Sequence, residues 1–224
     1  MKICVYGAAS SLIDNHYIEA GIELGKELAK RGHGLVFGGG SHGMMGALAE
    51  GAFEEKGYIL GIIPEFFKEA GAEVSFKNCT EYIYTDTMRE RKRELEENSN
   101  GFIITPGGIG TLDEFFEILT LKQLGRHNKP IAIYNIDGFF DELDAMMDKS
   151  IEKEFITHDC KELYSVFDNK EEMLEYLENY DEKERLEDIY FSLSKSEKEK
   201  YAHKYADELK SKLESQKIIP FEPN

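Results

Sequence analysis

Tryptophan is absent from this chain of 224 residues, proline occurs 5 times and cysteine 3 times. Cys4, Cys79 and Cys160 are odd in number, widely spaced and without a Cys-x-x-Cys pair, so neither a disulfide framework nor a zinc site is expected. No metal is expected from the histidines either: His16, His33, His42, His127, His158 and His203 show no His-x-x-x-His spacing. Uninterrupted apolar runs of about 18 residues are missing, and the apolar stretch near Ile3 is too short for a signal peptide. A cytoplasmic protein without a membrane partner is the expectation. Positive charge is scarce, with 27 Lys and Arg against 44 Asp and Glu and a formal net charge of -17. Nucleic acids and anionic lipid need clustered positive charge to displace counterions, so neither is expected as a partner. The pattern Gly-x-x-x-x-Gly-Lys-Ser/Thr is also missing, which excludes a nucleotide triphosphatase of the P-loop type. Beyond Gly138 there is no glycine at all.

What remains is enough apolar material, 41% of residues, for one sizeable core. Short β-branched runs alternate with stretches of helical period, as in βαβ units on a parallel sheet. Strands are expected over residues 2–6, 34–37, 58–63, 82–84, 101–105 and 130–134. Between the first two runs, Tyr17, Ala20, Gly21, Leu24 and Leu28 share a helical face, and Arg31-Gly32 reads as its stop. From about residue 169 the texture turns to acidic helix, with Glu171, Glu172, Glu175 and Glu178 around Met173, Leu174 and Leu177. The fold class expected is α/β, an open parallel sheet with helices on both faces. A catalytic domain over 1–180 would carry the chemistry, and 181–224 would be an acidic helical extension used for packing or oligomer contact. Ligands of such sheets bind at the carboxyl ends of strands, where the glycine-rich turns lie.

Two such turns stand out. Gly38-Gly39-Gly40-Ser41-His42-Gly43-Met44-Met45-Gly46 follows a strand and precedes a helix, and contains Gly-x-Gly-x-x-Gly. Glu65 lies roughly twenty residues on, where a ribose-binding acid would sit in a dinucleotide site. A tight turn with close helix packing explains the same glycines. The second turn, Pro106-Gly107-Gly108-Ile109-Gly110-Thr111, separates Phe102-Ile103-Ile104 from Leu112, Phe115, Phe116 and Leu119. Two glycine turns on one sheet edge would converge on a single anionic ligand. Thr111-x-x-Glu114 also reads as a capping box, with Thr111 as the cap. Against that reading, the helical wheel puts Glu114 on a stripe with Ile118 and Leu121, and Asp113, Glu117 and Thr120 on the polar strip. A carboxylate turned to the apolar side needs a partner or a task.

The local exception to acidity is Arg89, Arg91, Lys92 and Arg93. Lys92 has Glu96 four residues on and Arg93 has Glu97, so both read as solvated helix pairs. Arg91 shares its stripe with Met88 and Leu95 and is expected to face the protein. An inward guanidinium there suits bidentate contact with a phosphate or a ribose hydroxyl.

Together, these residues resemble the LOG family, the cytokinin riboside 5'-monophosphate phosphoribohydrolases, often mislabelled as lysine decarboxylases. The resemblance runs over roughly residues 1–180. It is carried by the first glycine turn, Met88-Arg89-Glu90-Arg91-Lys92, the run Pro106-Gly107-Gly108-Ile109-Gly110-Thr111-Leu112-Asp113-Glu114, Gln123-Leu124-Gly125 and Lys129-Pro130. It implies a Rossmann-like fold, usually a dimer, that cleaves the N-glycosidic bond of a nucleoside 5'-monophosphate of AMP or cytokinin riboside type. The products would be free base and ribose 5-phosphate, with no cofactor. By position it implies Arg91 and Glu114 as the catalytic pair. Substrate-binding positions would be Gly39, Gly40, Ser41, Gly43, Met88, Lys92, Gly107, Gly108, Gly110 and Thr111. No context for a Schiff-base lysine is recognisable in the residues. The chain departs from the family at Tyr6-Gly7-Ala8-Ala9-Ser10-Ser11, where Cys-Gly-Ser-Ser is common, and at Leu121, where tryptophan is frequent; 181–224 has no counterpart. Two other readings stand beside it: a non-catalytic nucleotide sensor or carrier using the same two turns, and a dinucleotide oxidoreductase built on Gly38, Gly40, Gly43 and Glu65, which leaves the turn from Pro106 to Glu114 without a role.

Overall fold

The apolar runs pair as the alternation requires, into one sheet of seven parallel strands. The computed structural model describes residues 1–70 and 75–181. Its strands are β1 (Lys2–Tyr6), β2 (Gly34–Phe37), β3 (Ile59–Pro64), β4 (Glu81–Thr85), β5 (Gly101–Ile104), β6 (Ile131–Tyr134) and β7 (Ser165–Phe167). They lie in the order β4-β3-β2-β1-β5-β6-β7, each pair parallel. The direction of winding reverses between β1 and β5, so the carboxyl ends of these two strands open the crevice where such folds bind ligands. Six strands fall within one or two residues of the expected runs. The seventh was not foreseen, because Ser165-Val166-Phe167 is short, half-buried and offers no apolar run.

Burial on both faces explains the near-continuous apolar strands. Ile3, Val5, Leu35 and Phe37 point to one face, covered by α1 (Asn15–Lys30), α2 (Gly43–Glu54) and α7 (Lys170–Asn179). Cys4, Tyr6, Val36, Leu60, Ile62, Phe102 and Ile104 point to the other, under α4 (Met88–Glu97), α5 (Ile109–Gln123) and α6 (Asp141–Glu152). The sheet therefore carries helices on both faces, a Rossmann-like α/β fold. A short α3 (Glu65–Ala70) follows β3.

Two local features fix the elements around the crevice. α1 ends where expected, at C-cap Arg31 with Gly32 at φ +74°. It crosses α2 so closely that a Cβ on Gly25 or Gly51 would strike the carbonyl of Leu48 or Ile22 on the opposite helix. α4 begins with a capping box: Thr87 Oγ1 accepts from the N–H of Glu90 at 3.1 Å, and the Glu90 carboxylate accepts from the N–H of Thr87 at 3.1 Å. Residues 1–180 form one compact unit. The helical extension expected beyond it lies outside the described residues. Among the described residues, no helix is long and apolar enough to cross a membrane.

Candidate active site at the strand-order reversal

At the end of β5, Thr105 ties the two central strands together. Its N–H and its hydroxyl both donate to the carbonyl of Tyr6, at 2.8 and 2.9 Å. The chain then turns through Pro106, whose carbonyl accepts from the N–H of Ala8 at 3.0 Å. Gly107 has to be glycine, because a Cβ there would collide with Thr111 Oγ1 and come 3.0 Å from Ala8 N. Gly108 is the N-cap of α5 and brings no side chain to the first-turn amides. Around Gly108 and Gly110 a Cβ would meet nothing within 4 Å, and Ile109 is 87% exposed. The N-terminus of α5 therefore presents its backbone N–H groups and the positive end of its dipole to open space, the arrangement that receives an anion.

This geometry overturns the capping-box alternative. The helix starts at Ile109, so Thr111 is its third residue and is buried, and Glu114 lies too far along to reach back to an N-cap. Its carboxylate instead meets Arg91, with Nη1 donating to Oε1 at 2.8 Å, while the two side chains keep only 13% and 11% of their surface. Burial pushes the Glu114 carboxyl above its usual range, and the adjacent guanidinium offsets only part of that rise. Beneath the pair, β1 supplies two neutral groups. Burial raises the Cys4 thiol to about 12 and, with the neighbouring thiol and Glu114, raises the Tyr6 phenol as well. The Tyr6 ring stacks on Phe102 at 6.2 Å and 7°. Arg91 lies directly over Gly38, and its Nε is buried without a hydrogen-bond partner among the described residues.

The neighbours of Arg91 divide differently from the expectation. Lys92 does not pair along its own helix with Glu96; its Nζ reaches across to Asp113 Oδ2 at 3.2 Å and to Glu117 on α5. Reach decides this, since a lysine stem on the α4 face nearest α5 finds two acids there. Arg93 stays exposed, with its Nε 4.0 Å from Glu97, as a solvated helix pair. Met88 is partly exposed on the first turn of α4.

The first glycine turn is packed by its own chain. Gly43, at φ +59°, has the carbonyl oxygens of Ala8 and Ser10 each 2.6 Å from where a Cβ would stand. The N–H of Met45 donates to Ala8 O at 3.2 Å, so part of the α2 N-terminus is already used. Gly39, at φ +77°, abuts Ile63, and Gly46 abuts the Ser41 carbonyl. Gly40 bridges to Ser75, and the N–H of Phe76 donates to Gly39 O at 2.9 Å. Ser41 Oγ lies 3.4 Å from Nδ1 of the exposed His42. Close packing, rather than an open phosphate cradle, accounts for Gly39, Gly43 and Gly46. The Gly-x-Gly-x-x-Gly run follows β2, one strand away from the reversal, and Glu65 is exposed at the start of α3, so the dinucleotide arrangement is not reproduced. The two turns are joined by Ala8, hydrogen-bonded to both, and by Arg91, which touches Gly38 and Glu114. From the sequence Ala8 is not a candidate site residue, and Gly38 enters only through the dinucleotide reading.

Comparison with known proteins agrees with this architecture. A family model described as possible lysine decarboxylase matches residues 45–177. The chain is 35% identical over 179 residues to a protein of Arabidopsis thaliana named cytokinin riboside 5'-monophosphate phosphoribohydrolase LOG2, covering 80% of this chain and 83% of that one. It is 37% identical to a probable cytokinin riboside 5'-monophosphate phosphoribohydrolase, LOGL9, of Oryza sativa subsp. japonica, covering 80% and 78%. Among solved structures, the molybdenum cofactor binding protein of Rippkaea orientalis superposes with a TM-score of 0.59 at 22% identity, covering 79% and 94%. The molybdenum cofactor carrier protein of Chlamydomonas reinhardtii does so with 0.58 at 21%, covering 79% and 95%. These two share the fold.

Proposed function

Since the chain belongs to the LOG family, we propose that it hydrolyses the N-glycosidic bond of a nucleoside 5'-monophosphate, of AMP or cytokinin riboside type, to free base and ribose 5-phosphate. The observation that carries the proposal is the buried Arg91–Glu114 pair, one helical turn from the open N-terminus of α5.

The 5'-phosphate sits against the N–H groups that follow Gly108, with Thr111 and Gly110 shaping the approach. Held there, the ribose extends along α5 toward Glu114. As the base departs, positive charge builds at the anomeric carbon, and the Glu114 carboxylate stabilises it and orients the attacking water. Arg91 favours the ionised form of that carboxylate against the burial that opposes it. Fixing the phosphate at a distance supplies the orientation that the reacting bond needs.

The test is product release. Incubation with AMP, other nucleoside 5'-monophosphates and a cytokinin riboside 5'-monophosphate, followed by chromatography, should yield free base and ribose 5-phosphate from at least one of them. Glu114→Gln, which keeps the hydrogen-bonding shape, should lower turnover by about 100-fold or more. Tight nucleotide binding with no base released from any member of the panel would make the protein a nucleotide carrier instead.

A further inference from the structure

Most glycines of the first turn are explained by backbone or fixed core atoms that lie against them. Gly38 is different. A Cβ built there would collide with Arg91 Nη2, and its next contacts, Cζ at 3.2 Å and Nε at 3.6 Å, belong to the same guanidinium. No backbone atom is among them, and Gly38 has no left-handed φ to protect. The end of β2 thus forms a floor without a side chain, against which the guanidinium sets its Nη2 end-on while its Nη1 is directed at Glu114. A methyl group at this point would leave the fold one easy way to relieve the clash, which is to swing the far end of Arg91 off its seat.

We propose that Gly38 is a positioning residue: the bare backbone at the end of β2 is the socket that holds the Arg91 guanidinium on Glu114. The inference rests on the hydrolase reading for its effect on turnover, but not for the socket itself. It gives the first glycine turn a role distinct from phosphate binding, since the turn acts on the chemistry through Arg91. Displacing Arg91 also changes the electrostatics of Glu114. The charged and titratable groups that face it are Arg91 and Lys92 from α4, Asp113 from its own helix, and Cys4 and Tyr6 from β1. Without Arg91 in place, Lys92 is the cation left near Glu114 among the described residues, and it is already engaged by Asp113 and Glu117.

The experiment uses the full chain carrying Gly38→Ala, with three readouts. Phenylglyoxal labelling followed by peptide mass spectrometry reports whether Arg91 has left its buried seat, with exposed Arg89 as the internal reference. Steady-state kinetics with the best nucleotide of the panel separate kcat from KM, and the pH–rate profile follows Glu114. The expected result is at least about fivefold faster labelling of Arg91 and an unfolding midpoint within a few degrees of wild type. For turnover, kcat should fall by about 100-fold with a much smaller change in KM, and the acid limb should move to higher pH. An Arg91 that stays protected, with kcat within twofold of wild type, overturns the inference. If Gly38→Ala unfolds instead, Gly38→Ala combined with Arg91→Ala should restore the midpoint to that of Arg91→Ala alone, because the clash partner is gone; failure to do so also overturns it. Should wild type release no base from any nucleotide, the hydrolase reading falls and the labelling result alone decides the socket.

Discussion

Arg91 Nη1 stands 2.8 Å from Glu114 Oε1 across the reversal of strand order: Arg91 belongs to the helix after β4, the outer strand of one wing, and Glu114 to the helix after β5, the first strand of the other. Removing one partner leaves the other buried and uncompensated. Arg91→Ala should therefore destabilise the protein by about 3 kcal/mol, the cost of breaking a buried pair. Lys92 pairs with Asp113 and Glu117, whose side chains are 57% and 39% exposed, so Lys92→Ala should cost no more than about 1 kcal/mol. Urea denaturation together with product release checks both. Equal losses at the two positions would contradict the distinction between the inward and the cross-helix cation.

A second expectation concerns pH. In the proposed reaction Glu114 acts ionised, and burial places its pKa above the ordinary 4.5 despite Arg91. Activity should therefore fall on the acid side at a pH higher than an exposed carboxylate would give. The stability linkage has the corresponding sign. A carboxyl whose folded pKa is raised contributes stability below its unfolded pKa and loses it as pH rises through the folded value. The stability of wild type relative to Glu114→Gln should decline over that interval. An acid limb at or below pH 4.5 would remove Glu114 as the ionised group of the reaction.

The inward positions of Arg91 and Glu114 were legible in the sequence because helical periodicity is local: Met88 and Leu95 mark the stripe of Arg91, and Ile118 marks that of Glu114. The helix start was less clear, since Thr111-x-x-Glu114 satisfies a capping pattern while the helix begins two residues before Thr111, behind Gly108. Lys92 was misread for a related reason. The four-residue rule finds Glu96, but Asp113 and Glu117 come from a helix that only the tertiary fold brings near. Glycine is the least transparent of all. It records that a side chain has no room, without saying what occupies the space: a carbonyl at Gly43, a guanidinium at Gly38, nothing at Gly110.

Away from the site, His127 should set part of the acid stability. It is buried, its Nε2 donates to the Ile118 carbonyl at 2.9 Å, and its Nδ1 accepts from the N–H of Lys129 at 3.2 Å. Both nitrogens are thus satisfied in the neutral ring, and burial lowers its pKa from 6.5 to about 4. The unfolded chain takes up a proton as pH drops below 6.5 while the folded ring stays neutral. This contribution is complete above pH 6.5 and is lost progressively toward pH 4, by up to roughly 3 kcal/mol. Denaturation at pH 7, 5.5 and 4.5 should show a shallower decline in His127→Asn than in wild type. Parallel declines would assign the acid sensitivity to other groups.

The sharpest test of the anion seat is Gly110→Ala, because fold and function make opposite demands there. A Cβ at Gly110 meets no atom within 4 Å, no positive φ has to be maintained, and the residue lies in the first turn of α5. Helix propensity then favours alanine by about 0.5 kcal/mol, so the unfolding midpoint should hold or rise slightly. A phosphate drawn close to the α5 amides, however, would find the added methyl in its path. KM for the nucleoside 5'-monophosphate should rise about tenfold. Inhibition by the corresponding nucleoside, which lacks the phosphate, should not change. Gly107→Ala makes the contrast, since its methyl would strike Thr111 and crowd Ala8 and should destabilise the turn itself. If Gly110→Ala leaves KM for the monophosphate untouched while the helix gains stability, the phosphate is bound elsewhere and the open N-terminus of α5 is not its seat.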